Sequence, residues 1–269
     1  MPNLSASKDA PVPRKSGVRV RPVPAVSRSI AILRLLGKTR QPMGVKNISD
    51  ALELVPSTCL HILRVLVDED LVKVVPGTKQ YVLGSGMLSL ARSVLEGGGF
   101  TQLVQPLLDR LAKTYGVTAM GVEVTPKQSV VVVALSRSNA PFRVHTDVGS
   151  QFTTLVSATG RLIAAHSGEN WTELRKKFKE IAWDKATSFD AWKKEVELAA
   201  RRGWSLDRDN FIAGITVVAV PIFGTGGRLT HTLVATGLSD QLSGAAATRL
   251  ALAMQEEAKA LSDQLLAGA

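Results

Sequence analysis

The sequence predicts a two-domain α+β protein, with an N-terminal winged helix-turn-helix unit, a short linker helix and a larger C-terminal domain on an antiparallel sheet. Three observations carry this. Residues 45–67 read as two short amphipathic helices around a tight turn, and a strand–turn–strand segment follows. Nearly all of the net charge of +10 lies ahead of them. From Phe100 onward the pattern changes to strands in two hairpin groups with helices between. A chain of 269 residues, 45% of them hydrophobic, is long enough for two cores.

Residues 1–24 are rich in Pro, Ser and Ala without apolar periodicity and are expected to form a disordered basic arm that tracks a phosphate backbone. Ten cations, Arg28 and Lys46 among them, precede position 48 against the single Asp9. Charge concentrated in this way is an electrostatic footprint for nucleic acid. The first domain, 25–86, opens on a helix whose apolar positions are Val26, Ile30, Leu33 and Leu36, with Ser27 or Ser29 near its cap. A second helix runs from Val45 to Glu53, with Ile48, Ala51 and Leu52 as its stripe. The third opens at Pro56-Ser57-Thr58, because proline is tolerated where the helix has no N–H to lose. Cys59, Ile62, Leu63, Leu66 and Val67 should face the core, leaving Ser57, His61 and Arg64 on the opposite side. Arg64 suits a guanine edge or a phosphate, and Ser57 and Thr58 are short donors. DLVKVVPGTKQYVLG then reads as two strands around a Pro-Gly-Thr-Lys turn, a wing that presents Lys73 and Lys79.

Residues 87–99 form the linker: a helix from Met87 to Leu95, then the Gly97-Gly98-Gly99 break. In the second domain, 100–269, a helix stops at Gly116, and strands follow at Val117–Val124, Ser129–Leu135 and about Phe142–His145. Helices are expected after Gly160, from Trp171 to Ile181 and from Ala191 to Arg202. Late strands, Ile215–Phe223 and Leu229–Gly237, flank a Gly-rich turn, and a last helix spans Gly244–Leu266. The lone Cys59 excludes an intrachain disulfide framework, and no stretch has the length of a membrane span or a secretory signal, so a cytoplasmic protein is expected.

Catalysis has little support. The histidines, His61, His145, His166 and His231, show no metal-ligand spacing, and no G-x-S-x-G elbow occurs. The runs GSG at 84–86 and GTGG at 224–227 fit neither phosphate-binding pattern. No enzyme, metal or cofactor is expected.

Four segments, PSTCLHILRVL, YVLGSGMLSLA, SATGRLIAA and GWSLDRDNFIAGITVVAVPIF, occur in the order and spacing of one family. From about Ala25 onward the chain resembles the IclR family of bacterial transcriptional regulators. The resemblance implies a GAF-like effector-binding domain, assembly as a homodimer or tetramer, and switching by a small organic acid. It places the loop Gly149–Gly160 over the ligand, with Ser157, Ala158, Thr159 and Gly160 offering backbone N–H groups to a carboxylate. Asp207 falls on the family's acidic pocket position. Val217 stands where several members have cysteine, Val234 and Thr236 where others have serines, and Asn210 where glutamate is usual. These changes imply a more apolar wall and a ligand with a hydrophobic or aromatic portion. His61 stands where arginine is frequent, so operator preference is expected to differ. The expected function is a sequence-specific regulator that binds double-stranded promoter DNA under the control of such an acid. The alternatives are an architectural DNA-binding protein whose C-terminal domain only oligomerises, and a small-molecule binder whose basic region contacts RNA or protein.

Overall fold

The computed structural model describes residues 23–97, 99–125, 129–138 and 146–267. The basic arm up to residue 22, Gly98 of the break, the Pro126–Gln128 turn and the strand expected at Phe142–His145 lie outside them. The chain divides into two compact units, with the border after Arg92.

The first unit is built on α1 (Pro24–Thr39), β1 (Met43–Gly44), α2 (Val45–Leu52), α3 (Pro56–Asp68), β2 (Val72–Val74) and β3 (Gln80–Leu83). Its sheet has the order β1-β3-β2, and β2 and β3 pair antiparallel as the wing. Sequence reading missed β1, because two residues carry no alternation to detect. Ile32, Leu36, Ile48, Cys59, Leu63, Leu66 and Val72 form the core. The expected stripe of α1 is therefore corrected: Ile32 rather than Ile30 points inward, and Val26 and Ile30 are exposed. Ala51 is exposed as well. Neither serine caps α1. Val23 is the N-cap with Pro24 behind it, and Ser29 Oγ donates back to Ala25 O. Burial pushes the Cys59 thiol up, which suits a packing residue rather than a nucleophile.

The wing is rooted at Asp70, a non-glycine residue with φ 57°. Gly84 N donates to Leu71 O, and Gly86 N donates to Asp70 O. A Cβ on Gly84 would sit 2.1 Å from Asp70 O, so only glycine lets the wing return this close. The next helix, α4 (Gly86–Gly97), starts from that root. It is longer than the expected Met87–Leu95 and carries the unit border within it rather than at the glycine run.

The second unit contains α5 (Gly99–Tyr115), β4 (Thr118–Val124), β5 (Val130–Arg137), β6 (Gln151–Phe152), α6 (Ser157–His166), α7 (Trp171–Lys179), α8 (Phe189–Arg202), β7 (Ser205–Arg208), β8 (Ile215–Phe223), β9 (Leu229–Leu238) and α9 (Gly244–Ala267). The strands form one antiparallel six-stranded sheet, order β6-β5-β4-β9-β8-β7. Its central strands are buried on both faces, which is why they read as near-continuous apolar runs. Val218, Val220, Ile222, Leu233 and Ala235 pack against α5 and α9. Met120, Val122, Val132, Val217, Ala219 and Val234 turn to the other face, toward Ala158, Leu162 and Ile163 of α6. The helix from Trp171 buries Leu174 and Phe178 against Trp192 and Val196.

At the start of α5, Phe100 stacks on His231 with ring centroids 3.9 Å apart. Burial pushes the His231 imidazole down from 6.5 to about 4, so the fold holds it neutral. The unfolded chain takes up the proton near 6.5 and the folded chain only near 4. The contribution is therefore fully present above the upper value and is lost as pH falls toward the lower one. Over that window it amounts to on the order of 3 kcal/mol. Urea midpoints followed from pH 7.5 to 4.5 are expected to fall less steeply for His231→Phe than for the parent chain. Parallel curves would show that this histidine does not control acid stability.

Candidate functional site

Two sites emerge, one in each unit. In the first, α3 presents Ser57, His61 and Arg64 on its exposed side, while Cys59, Leu63 and Leu66 point inward. Thr58 is half-buried at the edge of that face. No side chain caps α3, since its N-cap is Val55 and Pro56 opens the helix. The amides of Ser57 and Thr58 therefore remain available to phosphate at a helix N-terminus. Lys46 lies exposed in the first turn of α2, Arg28 on α1, and Lys73 and Lys79 on the wing. A rigid hairpin carries these last two: Val75 N donates to Gln80 O, and Thr78 folds back on Val75 O.

The second site is a cavity of about 130 Å³ on the α6 side of the large sheet. Its floor is Met120 and Val122 of β4, Val130 and Val132 of β5, Ile215 and Val217 of β8, and Val234 and Thr236 of β9. Its rim is Thr146, Phe152, Val156, Ser157, Thr159, Phe211 and Ile212. None of these lining side chains is charged. The hydroxyls of Thr146, Ser157 and Thr236 are buried and have no hydrogen-bond partner among the described residues. Unpaired buried hydroxyls are costly, and three of the six among the described residues border this space. Ser157 opens α6 with φ 55°, a left-handed conformation unusual for a side chain with a Cβ.

Of the residues expected at this site, Ser157, Thr159, Val217, Val234 and Thr236 line the cavity. Ala158, Gly160 and Asp207 do not. Ala158 is fully buried against Leu162 and Val234. The Gly160 amide is already spent on Val156 O, and a Cβ there would lie 2.0 Å from the Leu155 carbonyl carbon. Residues 157–160 are thus the first turn of α6 rather than loop, and the segment over the cavity includes the short strand β6, which carries Phe152.

Asp207 is 1% exposed and lies on β7, one strand beyond the lining, with Val217 as its cross-strand partner. Its carboxylate is occupied. Arg161 Nη1 donates to Oδ1 at 2.9 Å, and Phe211 N donates to Oδ2 at 3.1 Å. Arg161, which the sequence reading passed over, is 0% exposed. Its Nη1 also donates to Ser157 O at 2.9 Å, its Nε to Glu195 of α8 at 2.5 Å, and its Nη2 to Asn210 at 3.1 Å. Its only sequence-level signal is a cation inside an otherwise apolar helix, SATGRLIAA.

A winged helix with an uncapped, cation-bearing recognition helix, followed by an α+β unit with an apolar cavity, is the construction of a one-chain transcriptional regulator. Comparison with known proteins agrees. The profile described as "Bacterial transcriptional regulator IclR C-terminal" matches residues 93–263, and that of the IclR helix-turn-helix domain matches 25–76. The chain belongs to the IclR family of bacterial transcriptional regulators. It is 28% identical over 251 residues to a glycerol operon regulatory protein of Streptomyces griseus, covering 92% of this chain and 98% of that one. An IclR transcriptional regulator from Alicyclobacillus acidocaldarius shares the fold, with TM-score 0.79 and 22% identity over 90% of this chain and 99% of that one. An IclR homolog from Microbacterium hydrocarbonoxydans, solved with 4-hydroxybenzoate, has TM-score 0.72 and 17% identity over 90% and 98%. No helix among the described residues is long and apolar enough to cross a membrane.

Proposed function

We propose that the chain is a cytoplasmic regulator whose affinity for operator DNA is set by a small organic acid, with an aromatic or other apolar body, held in the C-terminal cavity. The observation that carries this reading is the cavity itself. It is uncharged, mostly apolar and edged by three unpaired hydroxyls at Thr146, Ser157 and Thr236. A space of about 130 Å³ is close to the ~150 Å³ apolar cavity that accommodates a benzene ring. The acid group would sit on the hydroxyls of Ser157 and Thr159 at the N-terminus of α6, where the helix dipole favours negative charge. The body would rest on Met120, Val122, Val217 and Val234. The relative that binds 4-hydroxybenzoate supports this ligand class.

Two copies, as a homodimer or a pair of dimers, would place their α3 helices on the half-sites of a near-palindrome. Residues 25–86 act as the DNA-binding domain, 87–99 as the link and 100–269 as the effector-binding domain. Arg28, Lys46, Lys73 and Lys79 hold phosphates, and Ser57, Thr58, His61 and Arg64 lie in or over the groove. Fluorescence anisotropy on duplex from upstream of the gene, against excess random DNA, tests the reading. Tight, competitor-resistant binding that shifts with added hydroxybenzoates supports it, and binding no better than to random duplex opposes it. In that assay Arg64→Ala is expected to cost about 1–3 kcal/mol of specific binding. Unchanged operator affinity would remove Arg64 from the readout.

A further inference from the structure

We infer that Arg161 and Asp207 are positioning residues of the cavity: their buried ion pair sets the placement of two of its walls without touching the ligand. The inference rests on the cavity being the ligand site. One wall is the start of α6 at Ser157, and the other is the segment after β7 that carries Phe211 and Ile212. A single chain of contacts joins them. The Ser157 carbonyl accepts from Arg161, whose same nitrogen donates to Asp207, whose other oxygen accepts the Phe211 amide. A second arm runs from the guanidinium to Asn210, the residue just before Phe211. Glu195 on α8 holds the guanidinium from a third direction.

The geometry explains two features at once. Ser157 keeps a left-handed backbone, and such a conformation persists only where surrounding bonds over-determine it. Its carbonyl is fixed by Arg161. The position that resembles an acidic ligand contact, Asp207, is 1% exposed, and both of its oxygens are engaged inside the protein. A buried ion pair is a poor device for net stability, because desolvation offsets most of the attraction. What it does supply is direction, since the planar fork of arginine fixes the bearing of each partner.

The test uses the full chain with Arg161→Met and Asp207→Leu together, so that no buried charge is stranded. The double variant is expected to keep its fold, with α9 and β9 amides exchanging as in the parent. Amides of 157–160 and 209–215 are expected to exchange roughly ten- to hundredfold faster, the factor that matches loss of charge-assisted hydrogen bonds. Calorimetric affinity for 4-hydroxybenzoate, used as probe, is expected to drop by a comparable factor. Arg161→Lys, which keeps the charge but not the fork, should fall between. Parent-like protection of both segments in the double variant overturns the inference. If the double variant does not fold, Arg161→Lys, which strands no charge, carries the test: faster exchange at 157–160 and 209–215 beyond any change in α9 and β9 supports the tether, and an equal rise in all of them overturns it. A parent chain that ignores the probe counts against the aromatic-acid reading alone, because the exchange measurement uses no ligand.

Discussion

Asp207→Ala is expected to destabilise the C-terminal unit by about 3 kcal/mol in the absence of any ligand. Removing one partner of a buried ion pair costs about 3–5 kcal/mol, because the remaining charge is stranded. Arg161 is 0% exposed and loses its fully buried counter-ion. It keeps Glu195, whose side chain is 44% exposed, so the lower end of the range applies. The substitution also releases the Phe211 amide. Urea unfolding of the apo protein measures the effect directly. A loss below about 1 kcal/mol would mean that Glu195 and water neutralise Arg161 unaided. A ligand-contacting Asp207 would leave the apo chain untouched, so this measurement also separates the two roles.

Gly160→Ala is expected to be at least as damaging, at about 3 kcal/mol or more. The added methyl would meet backbone rather than a movable side chain: the Leu155 carbonyl carbon at 2.0 Å, its oxygen at 2.3 Å and its Cα at 2.5 Å. Relief requires α6 to lift from the preceding strand of chain, and that shift displaces Ser157 and Thr159 at the cavity. The thermal midpoint is expected to fall together with probe affinity. A variant of parental stability would show that residues 153–156 yield without consequence.

Much of this fold was legible because its signals are local. The period-3.6 stripe in α3 placed Cys59, Leu63 and Leu66 inside and Arg64 outside. Pro56 marked the helix start, and the Pro-Gly-Thr-Lys turn marked the wing. The long apolar runs Ile215–Phe223 and Leu229–Gly237 announced β8 and β9. The missed strands are short or lie in polar sequence: β1 and β6 have two residues each, and β7 is the polar stretch Ser205–Arg208. At the cavity, Val217, Val234 and Thr236 were named from the family resemblance alone, and all three line it. The tether could not be read, because Arg161 and Asp207 are 46 positions apart and meet only once α6 lies across β7. Family likeness marked Asp207 as notable, and only its partners revealed why.

The root of the wing bears on how a signal could reach DNA. The first amide of α4 is bonded to Asp70 O, and the returning wing strand is bonded to the next carbonyl, Leu71 O, through Gly84 N. Helix and hairpin therefore share one fastening, with no free swivel between them. The part of α4 that belongs to the first unit, residues 86–92, is about 10 Å long. The direction in which the chain leaves the first unit is thus set at the same point that holds the wing, with no slack joint between the two.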